Sequence, residues 1–84
     1  MARRPQTDEE RRHGRVLGSL LSQVRGHRGL TTQQVAGQAN LSVDTVRSLE
    51  SGRVAAPSFL TVARLTDVLE ISLDQLHRDA QEST

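Results

Sequence analysis

Arginine is the side chain through which this sequence can do chemistry. Between Met1 and Arg28 seven arginines face Asp8, Glu9 and Glu10, a balance of +4, whereas from Gly29 to Thr84 four arginines face seven acids, a balance of −3. A guanidinium is a planar fork of donors that fits a carboxylate, a phosphate or the O6/N7 edge of guanine. The densest run, Arg3, Arg4, Arg11, Arg12 and Arg15, reads equally as an arm that tracks a phosphate strand or enters a minor groove and as a solubilising tail. Catalysis has no comparable material. His13, His27 and His77 are isolated, and the 84 residues hold no cysteine, no Gly-rich phosphate loop and no nucleophile–base arrangement. The expectation is a non-enzyme with no catalytic residues, no metal and no cofactor.

The elements that would position these cations follow from pattern. Leu30 to Gly52 contains two short amphipathic repeats, one with Val35, Ala36 and Ala39 on a stripe, the other with Val46 and Leu49, separated only by Asn40, Leu41 and Ser42. Two stripes facing one core across so short a turn make a helix-turn-helix, a device for laying the second helix in the major groove of DNA. Ala36 and Ala39 permit close approach of the helices. Asn40 tolerates the left-handed conformation that ends the first helix, Leu41 plugs the core, Ser42 caps the second helix, and Gly52 ends it. A plain helical hairpin shares part of this pattern.

Cap chemistry extends the reading to five helices, at 8–28, 32–39, 43–51, 59–70 and 73–79. Thr7, Thr31 and Ser72 each precede Glu10, Gln34 and Gln75 by three residues, the spacing of a capping box, and Ser42 and Ser58 are simple N-caps. Leu30, Leu41 and Ile71 can staple to Val35, Val46 and Leu76. Periodicity draws Val16, Leu17, Leu20, Leu21 and Val24 into the core from the first helix. The fourth gives Phe59, Leu60, Val62, Ala63, Leu65 and Leu69, and the fifth Leu73 and Leu76. Gly14, Gly18, Gly26 and Gly37 weaken their helices, and either close packing or surface tolerance accounts for them. The division is a flexible basic arm at 1–7, a helix-turn-helix domain at 8–79 and a flexible tail at 80–84. No apolar run has the length of a membrane span, and nothing in the composition argues for secretion, so a cytoplasmic setting is expected. With Phe59 the single aromatic residue, base stacking is weak and duplex DNA is the favoured nucleic acid.

Leu30 to Leu76 resembles the Cro/CI-type helix-turn-helix family of phage repressors, also called the XRE family. The matching pieces are Leu30-Thr31, Ala36, the turn ending in Ser42, Leu49-Glu50 before Gly52, Pro57-Ser58 and Ile71 to Leu76. The resemblance implies an all-α, five-helix, lambda-repressor-like DNA-binding domain. It implies base readout by Val43, Asp44, Arg47 and Ser48, and phosphate contacts from Thr31, Thr32, Gln33, Arg53 and Ser58. It also implies a structural ion pair between Arg25 and Glu50. Val43 suits a thymine methyl, because burial there gains nothing for the core, and Arg47 suits guanine or a phosphate. Asp44 either accepts from cytosine N4 or orients Arg47. The sequence departs from the family at Thr32, commonly Gln, and at Val54, Ala55 and Ala56, often basic. The implied partners are double-stranded DNA and a second copy, paired through the end of the fourth helix and the fifth, including Leu69, Ile71, Leu73 and Leu76, unless the core consumes these residues. The leading function is a transcriptional regulator, a small repressor or controller protein. The competing one is a protein-interaction module, an antitoxin or adaptor, that holds a partner protein; neither involves a membrane.

Overall fold

The computed structural model describes residues 7–54 and 56–82. Among them the chain forms five helices and no strand: α1 Asp8–His27, α2 Thr32–Ala39, α3 Val43–Glu50, α4 Phe59–Leu69 and α5 Leu73–Glu82. Starts are set by the cap residues read from the sequence. Thr7 and Thr31 close full capping boxes with Glu10 and Gln34, and Ser42 and Ser58 accept from the amides of Thr45 and Thr61. Ser72 caps the Gln75 amide at 3.0 Å, but the Gln75 side chain pairs with Asp79 and Arg78.

The first four helices end alike. A left-handed residue reverses the chain, and the next amide returns to a carbonyl five residues back, at 2.9–3.2 Å: Leu30 to Arg25, Leu41 to Ala36, Arg53 to Ser48 and Ile71 to Thr66. The left-handed residues are Gly29, Asn40, Gly52 and Glu70. Glu70 is the unexpected one, since a side chain in that conformation costs about 1–2 kcal/mol. Arg28 compensates by donating to both the Glu70 carboxylate (2.8 Å) and its carbonyl (3.2 Å).

α1 packs on α3 and α5, α2 on α3 and α4, and α4 on α5, around a core in which Val35, Val46 and Leu69 are the largest fully buried side chains. Leu30, Leu41 and Ile71 pack against this core at the positions expected of staples. Three residues assigned to the core face outward instead: Phe59, Leu60 and Leu73. Phe59 and Leu73 stand in the first turns of their helices, where side chains lean back toward the N-terminus and past the end of the core. Leu60 lies on the face shared with Arg64 and Asp67, opposite the buried stripe of Val62, Leu65 and Leu69. The fifth helix also runs to Glu82 rather than 79. Ala80, expected in a tail, is buried as part of the α5 stripe begun by Leu76. Leu69 and Leu76, expected at a dimer surface, are consumed by the core. No helix among the described residues is long and apolar enough to cross a membrane.

Gly18 fixes how near α1 comes to α3. A Cβ at this position would sit 2.2 Å from the Leu49 carbonyl oxygen and 2.9 Å from that of Glu50, both backbone atoms with no freedom to swing aside. Gly37, by contrast, has nothing within 4 Å of its would-be Cβ. Gly18→Ala is therefore expected to destabilise the domain by about 1–3 kcal/mol or more, whereas Gly37→Ala stabilises it by about 0.5–1 kcal/mol. Opposite shifts of the thermal midpoint in paired melts would establish the difference; equal shifts would refute it.

Candidate nucleic-acid interface

The turn between α2 and α3 is built from local bonds. Asn40 at φ 58° ends α2, its amide reaching back to Gly37, and Ser42 binds both the Thr45 amide (3.0 Å) and the Thr45 hydroxyl (2.7 Å). α3 is thereby set with Val46 and Leu49 inward, at 2% and 3% exposure. Asp44 and Arg47 project outward from the same helix. No ion pair joins these two among the described residues. Val43 is half-buried and packs on the core, contrary to the expectation that burial gains nothing there. As the first residue of α3, it leans back over the turn, where it meets core atoms.

At the far end of α3, Arg53 folds back rather than hanging in the loop. Its Nη2 donates to the Ser48 hydroxyl at 3.0 Å and its Nε to the Ser51 hydroxyl at 3.2 Å, while Ser51 donates to the Ser48 carbonyl. A cation over a helix C-terminus is favourable in itself. Gly52, at φ 79°, lies against Arg15 of α1: a Cβ there would be 2.8 Å from the Arg15 Cα. Arg15 thus stands on a helix beside the α3–α4 loop, and Arg11 and Arg12 are also helical; Arg11 pairs with Asp8. Arg3 and Arg4 lie outside the described residues.

The remaining candidates sit at helix starts. The Thr31 hydroxyl and the Gln34 amide oxygen are used by the capping box, while Thr32 and Gln33 supply first-turn amides that a helix cannot satisfy internally. Ser58 is spent on capping α4, accepting from the Thr61 amide at 3.1 Å and donating to the Thr61 hydroxyl at 2.8 Å. No cluster of three or more His, Cys, Asp or Glu able to hold a metal ion occurs among the described residues.

Arg25 and Glu50 form the expected pair. Nε and Nη2 of Arg25 donate to the two carboxylate oxygens of Glu50 at 2.8 and 3.1 Å, and Nη1 donates to the Leu30 carbonyl at 2.8 Å. One guanidinium therefore ties the end of α1, the entry to α2 and the end of α3. The Glu50 hydrogen bonds raise the Arg25 pKa above its ordinary value, against a smaller opposing effect of burial. With an arginine shifted upward, the stabilisation is complete below the ordinary pKa and is lost only above it, so Arg25 stays charged throughout the neutral range. The Arg28–Glu70 pair and the Arg53 clasp were not visible in the sequence. Arg28 and Glu70 stand 42 residues apart, and no local pattern announces such a contact.

This arrangement, a capped helix pair with the second helix buried on one side and polar on the other, is that of DNA-binding helix-turn-helix domains of the Cro/CI (XRE) type. Residues 16–78 match the helix-turn-helix domain family, and the chain belongs to it. Its structure is similar to that of the clp gene regulator ClgR from Corynebacterium glutamicum, with a TM-score of 0.79 and 25% identity over 84% of this chain and 74% of that one. A comparison with curated proteins found no match.

The Arg25 side chain is 22% exposed and that of Glu50 is 14% exposed. Glu50→Gln is expected to lower stability by about 2–3 kcal/mol, somewhat less than the loss of a partner in a fully buried pair. Arg25→Lys keeps the charge but not the fork and is expected to recover little of the wild-type value. Urea unfolding followed by circular dichroism measures both, and a wild-type midpoint for either variant would contradict the three-point tie.

Proposed function

We propose that this chain is a sequence-specific transcriptional regulator, a small repressor, that inserts α3 into the major groove of duplex DNA as a homodimer on a palindromic operator. The observation that carries the proposal is the outward placement of Asp44 and Arg47 on a helix whose other face is locked into the core. Arg47 has the reach and fork geometry for guanine O6 and N7, and Asp44, free of it, accepts from cytosine N4. The exposed part of Val43 contacts a thymine methyl, and Ser48, already holding Arg53, contributes weakly. The start of α2 meets a phosphate through the amides of Thr32 and Gln33 and the capped Thr31. Arg53 and the Ser58 region meet the next stretch of backbone, with added charge from Arg3, Arg4, Arg11 and Arg12. Half-sites about 34 Å apart match the two recognition helices to one face of the duplex. Such a protein works in the cytoplasm, where the DNA is.

Selection of binding sites from random duplexes, repeated over a salt series, tests the reading. A palindromic consensus is expected, with affinity falling as salt rises. Arg47→Ala is expected to cost about 1–3 kcal/mol and to relax specificity at one base position per half-site, whereas Arg53→Ala weakens all sequences alike and lowers the salt slope by about 1. Failure of the wild type to retain any duplex at low salt would overturn the proposal. Capture of a protein partner in its place would favour the antitoxin or adaptor reading.

A further inference from the structure

The arginines of α1 do not share one fate. Arg11 pairs with Asp8 and Arg25 with Glu50, whereas Arg12 and Arg15 hold neither an ion pair nor a side-chain hydrogen bond among the described residues. Residues 11–43 contain no Asp or Glu, so no helical neighbour three or four positions away can neutralise Arg15. Arg12 lines a hollow with Gln81 of α5. Arg15 lies against a different neighbour of α1, the end of α3.

That end is defined residue by residue. Asp44, Arg47, Ser48 and Ser51, spaced by three and four, share one face of α3. Arg53 folds onto Ser48 and Ser51 and so marks where that face stops. Gly52, its immediate neighbour, abuts Arg15 so closely that a Cβ would stand 2.8 Å from both the Cα and the Cγ of the arginine. The stem of Arg15 is thus held one residue beyond the edge of the outward face, and the residue as a whole is exposed. Along the loop no cation follows Arg53 until Arg64, so α1 supplies at Arg15 the charge that the loop lacks.

We propose that Arg15 is a phosphate-binding residue of the DNA interface, meeting the strand beyond the phosphate that Arg53 meets. A guanidinium with a fixed stem and no internal acid is available to an external anion. The distribution of charge favours the same anion on this side of the domain, because residues 67–82 hold five acids against Arg78 and repel phosphate from α5. Phosphate contacts set orientation and carry no sequence information. Since α1 lies directly on the α3 backbone at Gly18, a phosphate held by Arg15 fixes the docking of α3 without touching a base. The proposal rests on the DNA-binding reading and adds to it a contact from outside the helix-turn-helix.

Equilibrium binding of the full chain to a duplex that it selects and to an unrelated duplex, over a salt series, tests the assignment. Arg15→Gln and Arg15→Met, which keep a stem against Gly52, are expected to melt like wild type and to bind both duplexes about tenfold more weakly at low salt. Each is expected to lower the slope of log affinity against log salt by about 1. Arg15→Lys keeps the charge and is expected to restore the slope. Arg15→Gln combined with Arg53→Ala is expected to lower it by about 2, because two separate phosphates are released. Arg78→Gln removes the same charge from α5 and is expected to leave the slope unchanged. A wild-type slope in Arg15→Gln and Arg15→Met, or a loss no greater than that of Arg78→Gln, overturns the assignment while the DNA reading stands. A fall of only about 1 in the double variant overturns the separate phosphate. A wild type that retains no duplex at low salt overturns both.

Discussion

The backbone contact of α1 with the end of α3 at Gly18 is the constraint on which the other features depend. With no side chain at Gly18, α1 lies directly on the carbonyls of Leu49 and Glu50, which brings the Arg25 fork within bonding distance of the Glu50 carboxylate. The same approach sets Arg15 on Gly52, where a left-handed glycine is needed both to reverse the chain and to leave room for the arginine. α3 is eight residues long, too short to be stable as an isolated helix. Its rigidity is borrowed from α1 along one side and from the capped turn at its start.

Holding a short helix by its ends and its buried stripe leaves its outer side chains free of structural duty. Val46 and Leu49 anchor it, Ser42 and Arg53 close its two ends, and Asp44 and Arg47 remain exposed without a mutual ion pair. A polar group that is already paired must break that bond before it can meet a base, which costs affinity. Unpaired Asp44 and Arg47 carry no such cost. Ser48, whose hydroxyl holds Arg53, is the weakest of the four candidate reading residues for the same reason.

What the sequence made legible was local. Caps, staples and the Asn40 turn each involve residues within about five positions, and short-range patterns encode them directly. Arg25–Glu50 was legible only through the family pattern, since 25 residues separate the partners. Glu70 in the left-handed region and its Arg28 clamp escaped notice because the stabilising residue lies on a different helix. Leu60 was counted in the core against its own angular position, opposite Val62, Leu65 and Leu69, whereas apolar periodicity itself misplaced Phe59 and Leu73. It reports the angular position of a side chain on its helix and is blind to how far along the axis the core extends. Ala80 failed in the opposite direction, because a lone alanine near a terminus contributes little to any apolar pattern.

The uncharged run after Arg53 gains a physical reading from this geometry. A loop beside the end of a DNA-reading helix gains affinity most cheaply by adding cations, each neutralising a phosphate and releasing counterions. Val54, Ala55 and Ala56 forgo that gain, and the segment goes on to expose a phenylalanine and a leucine to water, which is unfavourable for a protomer alone. With a net charge of +1 and few cations near α3, the chain has little charge with which to hold a duplex, so directional contacts from the exposed side chains of α3 weigh more in any binding than they would in a more basic domain.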